Sequence, residues 1–172
     1  MSVISSLFRR RNPRETMAPL YAAVVAEGRR PHWYLNGAVP DTLDGRFDMI
    51  AAILSLVLLR LEREPERKQE SVWLTETFVE DMDGQLRQIG IGDVIVGKHI
   101  GRMMSALGGR LTAYRSAFAG ETTLEEALVR NLYRGETPSP AVLTHVAHAL
   151  GEYRETLDTI PAAAIITGHL PG

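Results

Sequence analysis

The chain has 172 residues, 45% of them hydrophobic and 23% charged, with a net charge of -2. That length supports one domain with a real core, not two. The near-neutral balance gives no field for DNA, so any affinity for RNA or a membrane needs a local patch. Cysteine is absent, which removes disulfides, thiolate metal sites and cysteine nucleophiles.

From the N-terminus, Val3, Ile4, Leu7 and Phe8 precede Arg9, Arg10 and Arg11. A secretory signal has the reverse order. Residues 1–14 therefore read as an N-terminal tail, broken at Asn12-Pro13. A short amphipathic helix there would suit a membrane interface. A first body helix is predicted from about Glu15 to Glu27, ending near Gly28, with Leu20, Ala23 and Val24 inward. Arg30 to Pro40 reads as a loop carrying Trp33 and Tyr34. Asp41 or Thr42 caps a second helix, and Asp44 in its first turn suits the dipole. Its apolar positions Phe47, Ile50, Ala51, Leu54, Leu58 and Leu61 fall three and four apart, and Pro65 ends it. The longest uncharged run in the body, Met49 to Leu59, is about half of the ~20 residues a spanning helix needs.

The third helix places Val72, Val79 and Leu86 seven apart, with Met82 and Ile89 beside them and Gly90 as terminator. Asp93 caps a fourth helix that runs to about Ala119. Its stripe is Val96, Ile100, Met103, Leu107, Leu111, Tyr114 and Phe118. Thr122-x-x-Glu125 or Thr123-x-x-Glu126 is a capping box for a fifth helix bearing Leu124, Leu128 and Leu132. Ser139-Pro140 opens a sixth, with Leu143, Val146, Ala147, Leu150, Tyr153 and Leu157 inward. Residues 159–172 form an apolar C-terminal tail, read as a short helix docked on the body or on a partner. No alternating strand pattern exceeds a few residues. The expectation is all-α: a single compact bundle of six to seven helices over residues 15–158.

Catalytic motifs are missing. There is no Gly-x-Ser-x-Gly, no P-loop and no Gly-x-Gly-x-x-Gly. Gly90-x-Gly92 follows a helix and reads as a turn. His145-x-x-His148 lacks further ligands and falls opposite the apolar stripe of its helix, so solvated surface histidines are expected. No nucleophile or oxyanion pattern accompanies Asp41, Asp44, Asp48 and Asp93. The missing motifs argue against a helical enzyme, a reading that a cleft of converged, perturbed carboxylates would revive; no cofactor and no metal are expected.

Two surfaces of the fourth helix stand out. From Val94 to Gly120 it has no acidic residue, and Lys98, His99, Arg102 and Arg110 lie within one sector. That sector is a candidate anion-binding face for RNA phosphate or anionic lipid. The acidic run Glu76, Glu80, Asp81 and Asp83 of the third helix is the internal alternative. Gly97, Gly101, Ser105 and Gly109 recur every four residues. Glycine inside a helix costs about 1 kcal/mol relative to alanine, so several imply compensation by close helix approach. The approaching helix belongs either to this chain or to a partner or client.

Two polar runs sit at helix junctions: Val39-Pro40-Asp41-Thr42-Leu43-Asp44-Gly45-Arg46-Phe47-Asp48 and Leu86-Arg87-Gln88-Ile89-Gly90-Ile91-Gly92-Asp93. They suggest a structural network of Asp41, Asp44, Arg46, Asp48, Arg87 and Asp93. In it Arg46 and Arg87 are expected to share Asp44, Asp48 or Asp93 and to fix the bundle. With Trp33-Tyr34 before the first run, Asp81-x-Asp83 before the second, and Gly109-Arg110 and Tyr114 after it, the chain resembles the ubiquinol–cytochrome c chaperone family. The match runs in order over roughly residues 15 to 135.

The resemblance implies an assembly factor that holds newly made cytochrome b for the cytochrome bc1 complex. Mitochondrial members act with a small partner near the ribosome exit. This chain resembles a bacterial-type member, expected in the cytoplasm at the periphery of the inner membrane. Its candidate client or partner surface is Trp33, Tyr34, Gly97, Gly101, Ser105 and Gly109. The competing reading is a ribosome- or RNA-associated adaptor that uses the basic face.

Overall fold

A computed structural model describes residues 13–88 and 93–172. The N-terminal stripe, Ile89, Gly90 and Gly92, and the side chains of Leu86, Asp93, Val96 and His99, lie outside the described residues. The rest is all-α, with no strand among the described residues. A 3-10 turn (Pro13–Met17) leads into α1 (Ala18–Gly28), followed by α2 (Pro31–Leu35) and α3 (Leu43–Leu61). A second 3-10 turn (Pro65–Arg67) precedes α4 (Lys68–Gln88) and α5 (Asp93–Phe118). The chain ends with α6 (Leu124–Asn131), α7 (Pro140–Thr159) and α8 (Ala162–Ile166).

The uncharged run that is too short for a membrane becomes the axis of the bundle. Every residue of α3 from Met49 to Leu58 is buried, as expected for a helix apolar on all sides. Its one hydroxyl in that stretch, Ser55, donates to the Ala51 carbonyl at 2.6 Å and so leaves no buried donor unmet. Thr42 caps α3, its hydroxyl accepting from the Gly45 amide at 3.1 Å. α1 crosses α3 at Gly28, where a Cβ would sit 2.9 Å from the Ile50 Cα. α4, α5 and α7 complete the surround, and α8 docks on α1 through Ala162 and Ile165. The capping box of α6 forms at Thr123 and Glu126, and Ser139 caps α7.

Two details differ from the sequence reading. Arg30 to Pro40 is not all loop: Pro31 presets the first turn of α2, and Trp33 plugs the core at 2% exposure. The Trp33 indole donates to the Glu27 carbonyl at 3.0 Å. On α4 the buried line is Leu74, Phe78 and Met82, and Val72 is 44% exposed. A seven-residue repeat drifts around a 3.6-residue helix. Phe78, next to Val79, packs on Tyr21 and Phe47 and takes the inward place.

Candidate functional site

One buried ionic centre joins three helices. The Asp48 carboxylate of α3 is wholly buried. It accepts from Arg110 of α5 at 2.5 Å and from the Arg134 Nε, just beyond α6, at 2.5 Å. Arg134 also reaches Asp44 at 2.7 Å, and Arg110 donates to the Asn131 carbonyl at 3.2 Å. The Arg110 guanidinium lies 5.5 Å from the centre of the Phe47 ring. Burial pushes the Asp48 carboxyl above its ordinary range, while the two guanidinium groups pull it back. Arg134 sits at a φ of 53°, a left-handed conformation that costs a non-glycine residue energy. The ion pairs to Asp48 and Asp44 offset that cost and hold the side chain over both aspartates.

This centre takes Asp44 and Asp48, two of the three carboxylates that Arg46 and Arg87 were expected to share; the third, Asp93, has its side chain outside the described residues. Arg46 pairs with Asp41 at 2.6 Å, both ends more than half exposed. The Arg46 guanidinium holds the Asp41 carboxyl below the usual carboxylate range. Arg87 pairs with Asp83, one turn back on its own helix, at 2.9 Å. Each of these two pairs is local, joining residues four or five apart along the chain. Arg110 also leaves the expected anion-binding face: at 7% exposure it is committed to Asp48. Arg134, which carries both aspartates, has no sequence signal beyond the Arg134-Gly135 pair in the turn after α6.

Lys98 and Arg102 remain on the surface of α5 and form no ion pair among the described residues. His145 and His148 are exposed on α7, and the described residues contain no group of ligands able to hold a metal. Trp33 is buried and Tyr34 donates to the Gly28 carbonyl at 2.6 Å. Trp33 therefore belongs to the core, not to an exposed client surface.

The small-residue face of α5 is open. Gly97, Gly101, Ser105 and Gly109 are exposed, as is Gly108 beside them. A Cβ added at Gly97, Gly101, Gly108 or Gly109 would meet nothing within 4 Å. Among the described residues, no helix uses the close approach these glycines permit. Along one edge of this face Met104 is 40% exposed and faces Val72 of α4 across a groove of about 630 Å³. Leu58, Pro65 and Leu111 contribute to the groove lining, and Glu62, Glu64 and Glu76 are its acidic residues.

The family model described as "Ubiquinol-cytochrome C chaperone" matches residues 36–171, and so covers α3 with its aspartates, the α5 face and both arginines. The chain belongs to that family. Among solved structures, the chaperone is similar to one described as "Crystal structure of the Cbp3 homolog from Brucella abortus". The TM-score is 0.79 at 28% identity, over 97% of this chain and 94% of the other. No curated protein matches the sequence. Family and structure together point to a bc1 assembly chaperone and away from an enzyme. No helix among the described residues is long and apolar enough to cross a membrane.

Proposed function

We propose that the chaperone holds cytochrome b, or a related membrane protein, by laying one of its apolar helices on the exposed face of α5. One observation carries this reading: four glycines lie on the solvent side of one helix, and a Cβ at any of them would meet nothing within 4 Å among the described residues. Each costs about 1 kcal/mol of helix stability relative to alanine. A bare backbone ridge of roughly 18 Å, from Gly97 to Gly109, lets a second helix approach as closely as small-residue seams do in membranes. Val72 and Met104 extend the ridge with apolar area that a soluble monomer has no internal use for. The Asp48 centre ties α5 to α3 and α6, so the ridge is presented on a rigid support.

Residues 15–158 act as the holding domain in this account, with the two tails as accessories at the inner-membrane surface. Lys98 and Arg102, at the edge of the same face, suit an anionic lipid or ribosomal surface beside the client. A small partner subunit has room on the remaining surface.

Gly101→Leu and Met104→Glu test the reading. Both positions are exposed, so the thermal midpoint stays within a few degrees of the parent. The yield of assembled bc1 complex in cells that depend on this chain is expected to fall severalfold. Full bc1 yield with both variants would exclude the α5 face as the client surface.

A further inference from the structure

A second cleft lies where the C-terminal ends of α3, α5 and α7 meet, away from the glycine ridge. It holds about 360 Å³. Four arginines line it: Arg60 of α3, Arg63 just beyond α3, Arg115 of α5 and Arg154 of α7, against Glu62 and Asp158 in the lining and Glu64 on Arg60, an excess of one positive charge. Asp158 is shared, at 2.5 Å from Arg63 and 3.1 Å from Arg154. Arg115 meets Glu62 at 2.7 Å, with both side chains about half exposed. Arg60 is nine-tenths buried. It bonds to Glu64 at 2.8 Å and to the Ile160 carbonyl at 3.0 Å, and its Nε has no partner. The floor is apolar, and the Arg154 guanidinium carbon lies 5.0 Å from the centre of the Phe118 ring.

Exposed ion pairs contribute little, roughly 0–1 kcal/mol. Arg63 and Arg115 can therefore turn from their carboxylates to a stronger anion at small cost. Guanidinium forks match phosphate oxygens in paired hydrogen bonds. Three helices bring these forks together from distant parts of the sequence, with positive charge in excess and hydrocarbon beneath.

We propose that this cleft is a phosphate-binding site, fitted to a phosphate group that carries an apolar tail or to the free ion. Nothing in the client reading requires it, and its ligand is distinct from the client. The test uses the full chain and the Arg63→Gln/Arg115→Gln double variant, whose substituted side chains are both more than half exposed and should leave the fold intact. Inorganic phosphate is compared with chloride at equal ionic strength for its effect on thermal stability. Co-sedimentation is measured with phosphatidylcholine vesicles with and without phosphatidylglycerol.

The expected result is stabilisation of the parent by phosphate. Affinity should be about tenfold or more weaker in the double variant, the worth of one charge-assisted hydrogen bond. Co-sedimentation that requires phosphatidylglycerol and these arginines makes a lipid headgroup the ligand. Stabilisation by phosphate without vesicle binding makes it the free ion. Equal responses from the parent and the double variant, or none from either, would overturn the site while leaving the α5 reading untouched.

Discussion

Asp48 and Asp41 are seven residues apart on one polar run and have opposite fates. Asp48 is buried between two guanidinium groups, whereas Asp41 meets one arginine in open solvent. Removing one partner of a buried pair leaves the other charge uncompensated. Asp48→Asn is therefore expected to cost about 3–5 kcal/mol in urea unfolding, and Asp41→Asn to leave the midpoint unchanged. Equal effects would mean that Asp48 is not the centre of the support. The same contrast applies to the arginines. Arg110→Ala should unfold the domain at much lower urea than Arg46→Ala, because only Arg110 is buried against its partner.

Along helix α5 stability and function oppose each other. Gly97, Gly101 and Gly108 have open space where a Cβ would stand. Alanine at each should raise stability by about 1 kcal/mol, measured by denaturant midpoint, while weakening client holding. Gly28→Ala is the control with the opposite sign, because its Cβ would collide with the Ile50 backbone. The α5 pattern was legible in sequence as spacing, but its outcome was not. A ridge of small residues is the same string whether a neighbouring helix covers it or solvent does, and only the packing of α4 and α6 decides between them. Arg110 shows the same limit: helical spacing put it in a sector with Lys98 and Arg102, and one buried aspartate 62 residues earlier turned it inward.

Across the whole molecule, the helix order, the caps at Thr42, Thr123 and Ser139 and the all-α class followed from local chemistry, since periodicity and capping act within a few residues. The Asp48 centre and the arginine cleft depend on contacts between distant segments, which no local pattern encodes. A global property also follows from burial. All five tyrosines are pushed above the ordinary phenol value of 10.0, chiefly by desolvation, Tyr133 to about 12. The folded state thus holds these protons more tightly than the unfolded chain. Their contribution is fully present below pH 10 and is lost as pH rises through the folded values. Alkaline titration should show phenolate absorbance rising together with loss of helical circular dichroism. Phenolate that appears near pH 10 with the helices intact would contradict the burial of these rings.

The most direct test of the client surface is site-specific photocrosslinking in cells making the bc1 complex. A photoreactive residue replaces Gly101 or Ser105 on the open face of α5, and Glu152 on the exposed side of α7 serves as control. The account predicts that newly made cytochrome b is captured from both α5 positions and not from position 152. Capture of ribosomal components alone from α5, or of cytochrome b from position 152 alone, would contradict it.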